Sequence, residues 1–220
     1  MQYKTYTVRA YPNKSQQKLI YLTFLMCKIM FNTLFSIVLN NYKEFVLNVT
    51  SNIDFDEKEF ANSHKLPRIS KLKKVNNNYK LVDSLALCAE YSNLVRGMEM
   101  FYRGHSKMPK FKGRNDKHSY TTSQVNNNIR IAGNKIRLPK LGFIKVRGLR
   151  KAPNNCTIKR AIVFENKTGK FFISLIFEFE DNNTNINLSR INSKKVVGLD
   201  FKIGDIFVSN NNFIPKYSNS

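Results

Sequence analysis

The side chains best suited to chemistry in this sequence are cations, and they crowd into one stretch. Residues 101–160 hold 16 Lys and Arg against a single acid, Asp116. Inside that stretch, Pro109-Lys110-Phe111-Lys112-Gly113-Arg114 interleaves cations with an aromatic ring. Arg137, Lys140, Lys145, Arg147 and Arg150 follow at short intervals. Cations at this density neutralise phosphates, and flat rings set among them can stack on bases. Phe111, Tyr120 and Phe143 are the rings so placed, with core packing an equal reading for Phe143. A merely solvated surface mixes its signs, because solubility needs only modest net charge. Sixteen to one does not fit that description.

Other chemistries find fewer residues. The three cysteines, Cys27, Cys88 and Cys156, are odd in number and far apart, and no C-x-x-C occurs. His64, His105 and His118 form no ligand pair with them, so no metal site is expected among these six residues. The one carboxylate with a suggestive setting is Asp200, which closes the apolar run Val196-Val197-Gly198-Leu199.

The whole chain agrees with the local picture. It has 220 residues, 37 Lys and Arg against 15 Asp and Glu, and a formal net charge of +22. A partner that is a polyanion is expected, nucleic acid before an anionic membrane. Hydrophobic residues at 42% exclude a wholly disordered chain. The longest apolar region, Leu19 to Leu47, is broken by Lys28, Asn32, Asn40 and Lys43, which argues against a membrane span. Met1-Gln2-Tyr3-Lys4 opens no apolar leader, and the cysteine usage fits a reducing cytoplasm, a bacterial or viral-type intracellular setting.

Elements must position these groups. Residues 2–10 alternate as a half-buried strand does. Pro12-Asn13 breaks the run, and Asn13 can cap a long amphipathic helix from Lys14 whose apolar face is Leu19, Leu22, Met26, Met30, Leu34 and Ile37, with Leu47 beyond. Asp54 to Glu59 reads as a helix start and Ser70 to Lys80 as a basic loop. A second helix is predicted from Asp83-Ser84 to Gly104, its apolar face being Leu85, Cys88, Tyr91, Val95, Met98 and Phe101-Tyr102. Short alternating runs then follow at 119–123, 129–131, 135–138, 143–146, 157–165 and 170–180, with Lys167-Thr168-Gly169 as a hairpin turn. A polar linker, Asp181 to Ser193, precedes the last apolar strand.

The expected fold class is α+β: a small β-barrel, wedge- or OB-like, built from 1–12 and 115–190. It is split by a helical insertion, 13–114, that includes a helix-turn-helix-like region at 14–47. Residues 194–220 would begin an incomplete RNase H-like, or RuvC, domain.

Three stretches together carry a family resemblance. They are Arg9-Ala10-Tyr11-Pro12-Asn13-Lys14-Ser15-Gln16 with Cys27-Lys28-Ile29-Met30-Phe31-Asn32; Pro109 to Arg114 with Ser119 to Thr122 and Asn134 to Gly142; and Val196 to Asp200. In this order they resemble the N-terminal half of the TnpB/OrfB family of insertion-sequence proteins, relatives of the CRISPR type V nucleases. The resemblance implies a guide-RNA and DNA binder associated with transposition, and a RuvC-type nuclease using Mg²⁺. It implies nucleic-acid contacts at Lys4, Arg9, Tyr11 and Lys14, at Lys110, Phe111, Lys112, Arg114 and Tyr120, and at Arg137, Lys140, Lys145, Arg147 and Arg150. Asp200 matches the first catalytic carboxylate.

Two departures bear on that last point. Lys202 stands where the family usually has glycine, and the later acids and zinc cysteines are missing from the sequence. A single carboxylate cannot position two divalent ions. The expectation is therefore a truncated, cleavage-incompetent member that holds no cofactor of its own, with a separate nuclease fragment as a conceivable partner. The alternatives are a guide-dependent repressor that occupies DNA without cutting, and an unrelated basic RNA- or DNA-binding module.

Overall fold

A computed structural model describes residues 2–42, 55–149, 156–179, 199–202 and 205–209. Residues 1–180 form one compact unit, and residues 181–220 form a second.

The first unit opens with β1 (Gln2–Tyr11), whose inward residues Val8 and Ala10 are buried. Asn13 then caps α1 (Lys14–Asn40): its side chain accepts from the backbone N–H of Gln16, while Gln16 accepts from that of Asn13. This reciprocal box satisfies two amide donors that a helix start leaves orphaned. Residues 14–40 are one uninterrupted helix; the rest of the expected helix-turn-helix-like region lies partly outside the described residues, as does Leu47.

The buried stripe of α1 keeps Met26, Met30 and Leu34 of the predicted face and is wider than it. Phe24, Cys27, Phe31, Phe35 and Val38 are buried, whereas Leu19, Leu22 and Ile37 are only partly so. The helix packs against both a second long helix and the sheet, so it must bury more than one ridge. By length and composition α1 would also pass as a membrane span, unlike the expectation from its polar breaks; half of its apolar window is buried within the fold.

Three short helices follow: α2 (Glu57–Ser63), α3 (Ile69–Val75) and α4 (Asn78–Leu81). The last two replace the basic loop expected at 70–80. Ile69 and Leu72 pack on the core and Tyr79 is buried, which holds two short helices in an otherwise cationic segment. Next comes α5 (Ser84–Tyr102), capped by Asp83. Its core face is Ala86, Leu87, Leu94, Val95 and Met98: Val95 and Met98 lie on the predicted face, while Leu85 and Tyr91 are only partly buried and Cys88 is exposed. Gly104, at φ +72°, ends it: the Gly104 and His105 amides donate back to Phe101 and Met100 carbonyls.

The remaining strands are β2 (Ser119–Ser123), β3 (Arg130–Ala132), β4 (Lys135–Leu138), β5 (Gly142–Arg147), β6 (Cys156–Glu165) and β7 (Phe171–Phe179). With β1 they form one antiparallel sheet in the order β2-β6-β7-β1-β5-β4-β3. The expected barrel is thus a curled half-barrel with β2 and β3 as its edges among the described residues. The N-terminal strand sits at its centre, between β7 and β5. The Lys167-Thr168-Gly169 turn is held by Asn166, whose side chain accepts from the amides of Thr168 and Lys170.

In the second unit, β8 (Leu199–Lys202) and β9 (Asp205–Ser209) form an antiparallel hairpin. The linker at 181–193 and residues 194–198 lie outside the described residues.

Candidate nucleic-acid interface

The period of two along each strand sends alternate side chains to opposite faces. Ile136, Leu138, Ile144, Val146, Val8 and Ala10 take the inner face and are buried. Their neighbours must take the outer face, where the register lines them up in rows. One row runs Arg130, Arg137, Phe143; the next runs Lys135, Lys145, Tyr11; a third runs Arg147, Arg9, Phe172, Phe164. Three cation pairs are therefore directly opposed across strands: Arg130 with Arg137, Lys135 with Lys145, and Arg9 with Arg147. Each such pair is destabilising in an isolated sheet. None of these cations forms an ion pair with a described residue.

Aromatic rings are built into the same face. Phe143 is 49% exposed and Tyr11 48%. The Arg9 guanidinium lies 5.5 Å from the centroid of the Tyr11 ring and 5.2 Å from that of Phe172. Phe172 in turn stacks on Phe164 at 5.4 Å. The result is a cationic surface carrying π-faces, with Arg9 held between two of them.

The far end of β1 differs. Tyr3 donates to Glu178 at 2.8 Å, and Lys159 pairs with the other Glu178 oxygen at 2.6 Å. The hydrogen bond from Lys159 and then that from Tyr3 hold the Glu178 carboxyl below its ordinary pKa. Charge is cancelled here. Lys4 falls on the inner-face parity of β1, with its ammonium 5.7 Å from the Tyr6 ring centroid, so the structure separates it from Arg9 and Tyr11.

Polar residues of the N-terminal motif tie the helix to this surface. The Gln16 amide donates to the carbonyls of Leu141 and Phe143, both at 3.0 Å. That contact seats the start of α1, with exposed Lys14, beside the β4–β5 turn that carries Lys140. Further along α1, Asn32 clamps the backbone of Lys112, accepting from its N–H at 2.8 Å and donating to its carbonyl at 3.0 Å. Lys28 donates to the Gly113 carbonyl at 2.6 Å.

The clamped loop does not offer all its cations. Lys112 turns inward, paired with the buried carboxylate of Glu90 on α5 and lying 4.5 Å from the Phe31 ring centroid. Its ammonium is paired with the Glu90 carboxylate. Lys110, Phe111 and Arg114 remain exposed, Phe111 against the edge of Phe35 at 4.9 Å. Tyr120 needs a correction. It is 3% exposed, packs on Phe24, and its hydroxyl is pushed far above the ordinary value by burial. It is a core residue on the inner face of β2 and cannot stack on a base.

Sequence reading missed the positioning residues Gln16, Lys28, Asn32 and Glu90. A signal existed for two of them: Lys28 and Asn32 are the polar breaks in an apolar helix, and such breaks need buried partners. Arg150 lies outside the described residues. Asp200 stands opposite Val208 in the β8–β9 register, and Asp205 opposite Lys202. No group of three or more His, Cys, Asp or Glu that could hold a metal occurs among the described residues.

No curated protein matches the chain. Residues 1–45, which span β1, the Asn13 cap and α1, are similar to the helix-turn-helix domain family of OrfB proteins of the IS605 type.

Proposed function

We propose that the protein is a TnpB/OrfB-type nucleic-acid binder that grips a guide RNA, and DNA paired with it, through the outer face of the half-barrel and the exposed side chains of the 110–114 loop. The observation that carries the reading is the set of three directly opposed cation pairs on β1, β3, β4 and β5. A sheet that lines up like charges without a carboxylate between them is stabilised when phosphates supply the missing anions. Backbone contacts of this kind position a nucleic acid without reading its sequence. Arg9, Lys14, Arg137, Lys140, Lys145 and Arg147 serve as phosphate contacts, with Lys110 and Arg114 extending the track.

The test is a filter-binding titration of single-stranded and duplex RNA against salt. If about six phosphates are neutralised, log K falls with log salt at a slope of about −4 to −5. A flat dependence overturns the electrostatic reading.

We assign the chain no cutting activity of its own. With matched guide, target and Mg²⁺, Asp200→Ala is expected to alter neither cleavage nor RNA affinity. Guide-dependent cutting that disappears in the variant would overturn this and point to carboxylates supplied by another chain.

A further inference from the structure

Where β1 ends beside β5, the outer face opens into a cleft of about 670 Å³. Its walls include Tyr11, Gly133, Asn134, Lys145, Arg147 and Leu149. That volume lies within the roughly 300–1,000 Å³ range of small-ligand sites, far more than a flat phosphate track needs.

The walls divide by chemistry. Tyr11 supplies a ring, packed against the Arg9 guanidinium and half exposed. Leu149 adds an apolar surface. Lys145 stands directly opposite Tyr11 in the register, and Lys135 opposite Lys145 on its other side, so two ammonium groups follow one another on one side of the ring. The β3–β4 turn provides the opposite lip. There Gly133, at φ +56°, has nothing within 4 Å of where a Cβ would sit, so the backbone is open to close approach. Asn134 uses its carbonyl to accept from the Val146 amide, and its side-chain amide makes no hydrogen bond to a described residue. That amide offers a donor and an acceptor side by side, the pattern that matches a base edge.

A ring to stack on, a free amide to read an edge, and cations at the rim are what an extruded nucleotide requires. A continuous duplex presents no unstacked base to such a slot. We infer that this cleft binds one unpaired nucleotide, its base against Tyr11 and in reach of Asn134, and its phosphates on Lys145 and Arg147. This rests on the nucleic-acid reading above and adds a strand-state preference to it.

The experiment uses the full chain and a short single-stranded RNA carrying one 2-aminopurine, with the same RNA annealed to its complement and a third copy bearing an abasic site. Stacking should change the 2-aminopurine fluorescence on binding, and the single strand should bind more tightly than the duplex. Tyr11→Ala should weaken single-strand binding by roughly ten- to a hundred-fold and abolish the fluorescence change, while Tyr11→Phe keeps both. Asn134→Ala should reduce differences between bases at the labelled position and leave the salt slope unchanged. Salt-dependent binding that favours duplex, or that is indifferent to Tyr11→Ala and to the abasic site, overturns the slot and leaves the phosphate face standing. Absence of salt-dependent binding to any of the three RNAs overturns the phosphate face and the slot with it.

Discussion

Two cationic segments look alike in the sequence and are used in opposite ways. The 109–114 loop points its central lysine into the protein, against Glu90, and is held by Asn32 and Lys28. The strands β3 to β5 point every cation outward and pair none of them. The same contrast separates two aromatics: Tyr120 is buried in β2, and Phe143 stands exposed on β5. Charge counted along a chain is therefore not charge available to a partner. The difference is set by which side of the chain faces an acid or an apolar wall.

The largest effect that sharpens this contrast is expected from the rings. Tyr120→Ala removes a buried aromatic and should cost about 3–5 kcal/mol of stability, read from the denaturation midpoint. Phe143→Ala should leave the midpoint almost unchanged and weaken binding of single-stranded RNA. Equal stability losses would erase the distinction.

Next in size is the lysine comparison. Lys112→Ala strands the Glu90 carboxylate and should destabilise by about 2–3 kcal/mol, less than for a wholly buried pair because Lys112 is 31% exposed. Lys145→Ala should shift the melting midpoint little and lower the magnitude of the salt slope by about 1. A Lys112→Ala chain that melts normally but shows that slope change would return Lys112 to the phosphate track.

Gln16→Ala loses one half of the capping box and two hydrogen bonds to the β4–β5 turn. A cost of about 1–2 kcal/mol is expected, with RNA affinity falling further than at a neutral helix position because Lys14 and Lys140 lose their common anchor. Calorimetry and filter binding on the same preparation separate the two effects.

The smallest test concerns another inward-facing base. Burial lowers the His64 pKa below the ordinary 6.5, and Nδ1 contacts the Phe60 carbonyl at 2.9 Å. The unfolded chain then takes up a proton more readily than the folded one, so stability should decline as pH is lowered through 6.5. His64→Gln should remove that part of the slope. A melting temperature that rises on acidification over this range, in the native chain but not the variant, would reverse the assignment.

Much of this protein was written locally in its residues. Asn13 and Gln16 define the helix start, Asp83 and Gly104 bound α5, and alternation marks β1 and the later strands, because caps and period-two patterns depend on near neighbours alone. The overall positive charge, and its concentration in 101–160, also needed no fold. What the tertiary structure decided is which member of each pattern faces where. β1 became central because it meets β7 and β5, strands more than a hundred residues away. The buried faces of α1 and α5 are wider than a single stripe because each packs on more than one partner. Lys112 was taken by Glu90, and Lys4 fell on the other face from Arg9. The three opposed cation pairs exist only once distant strands are in register, and register is a long-range property that no local pattern encodes.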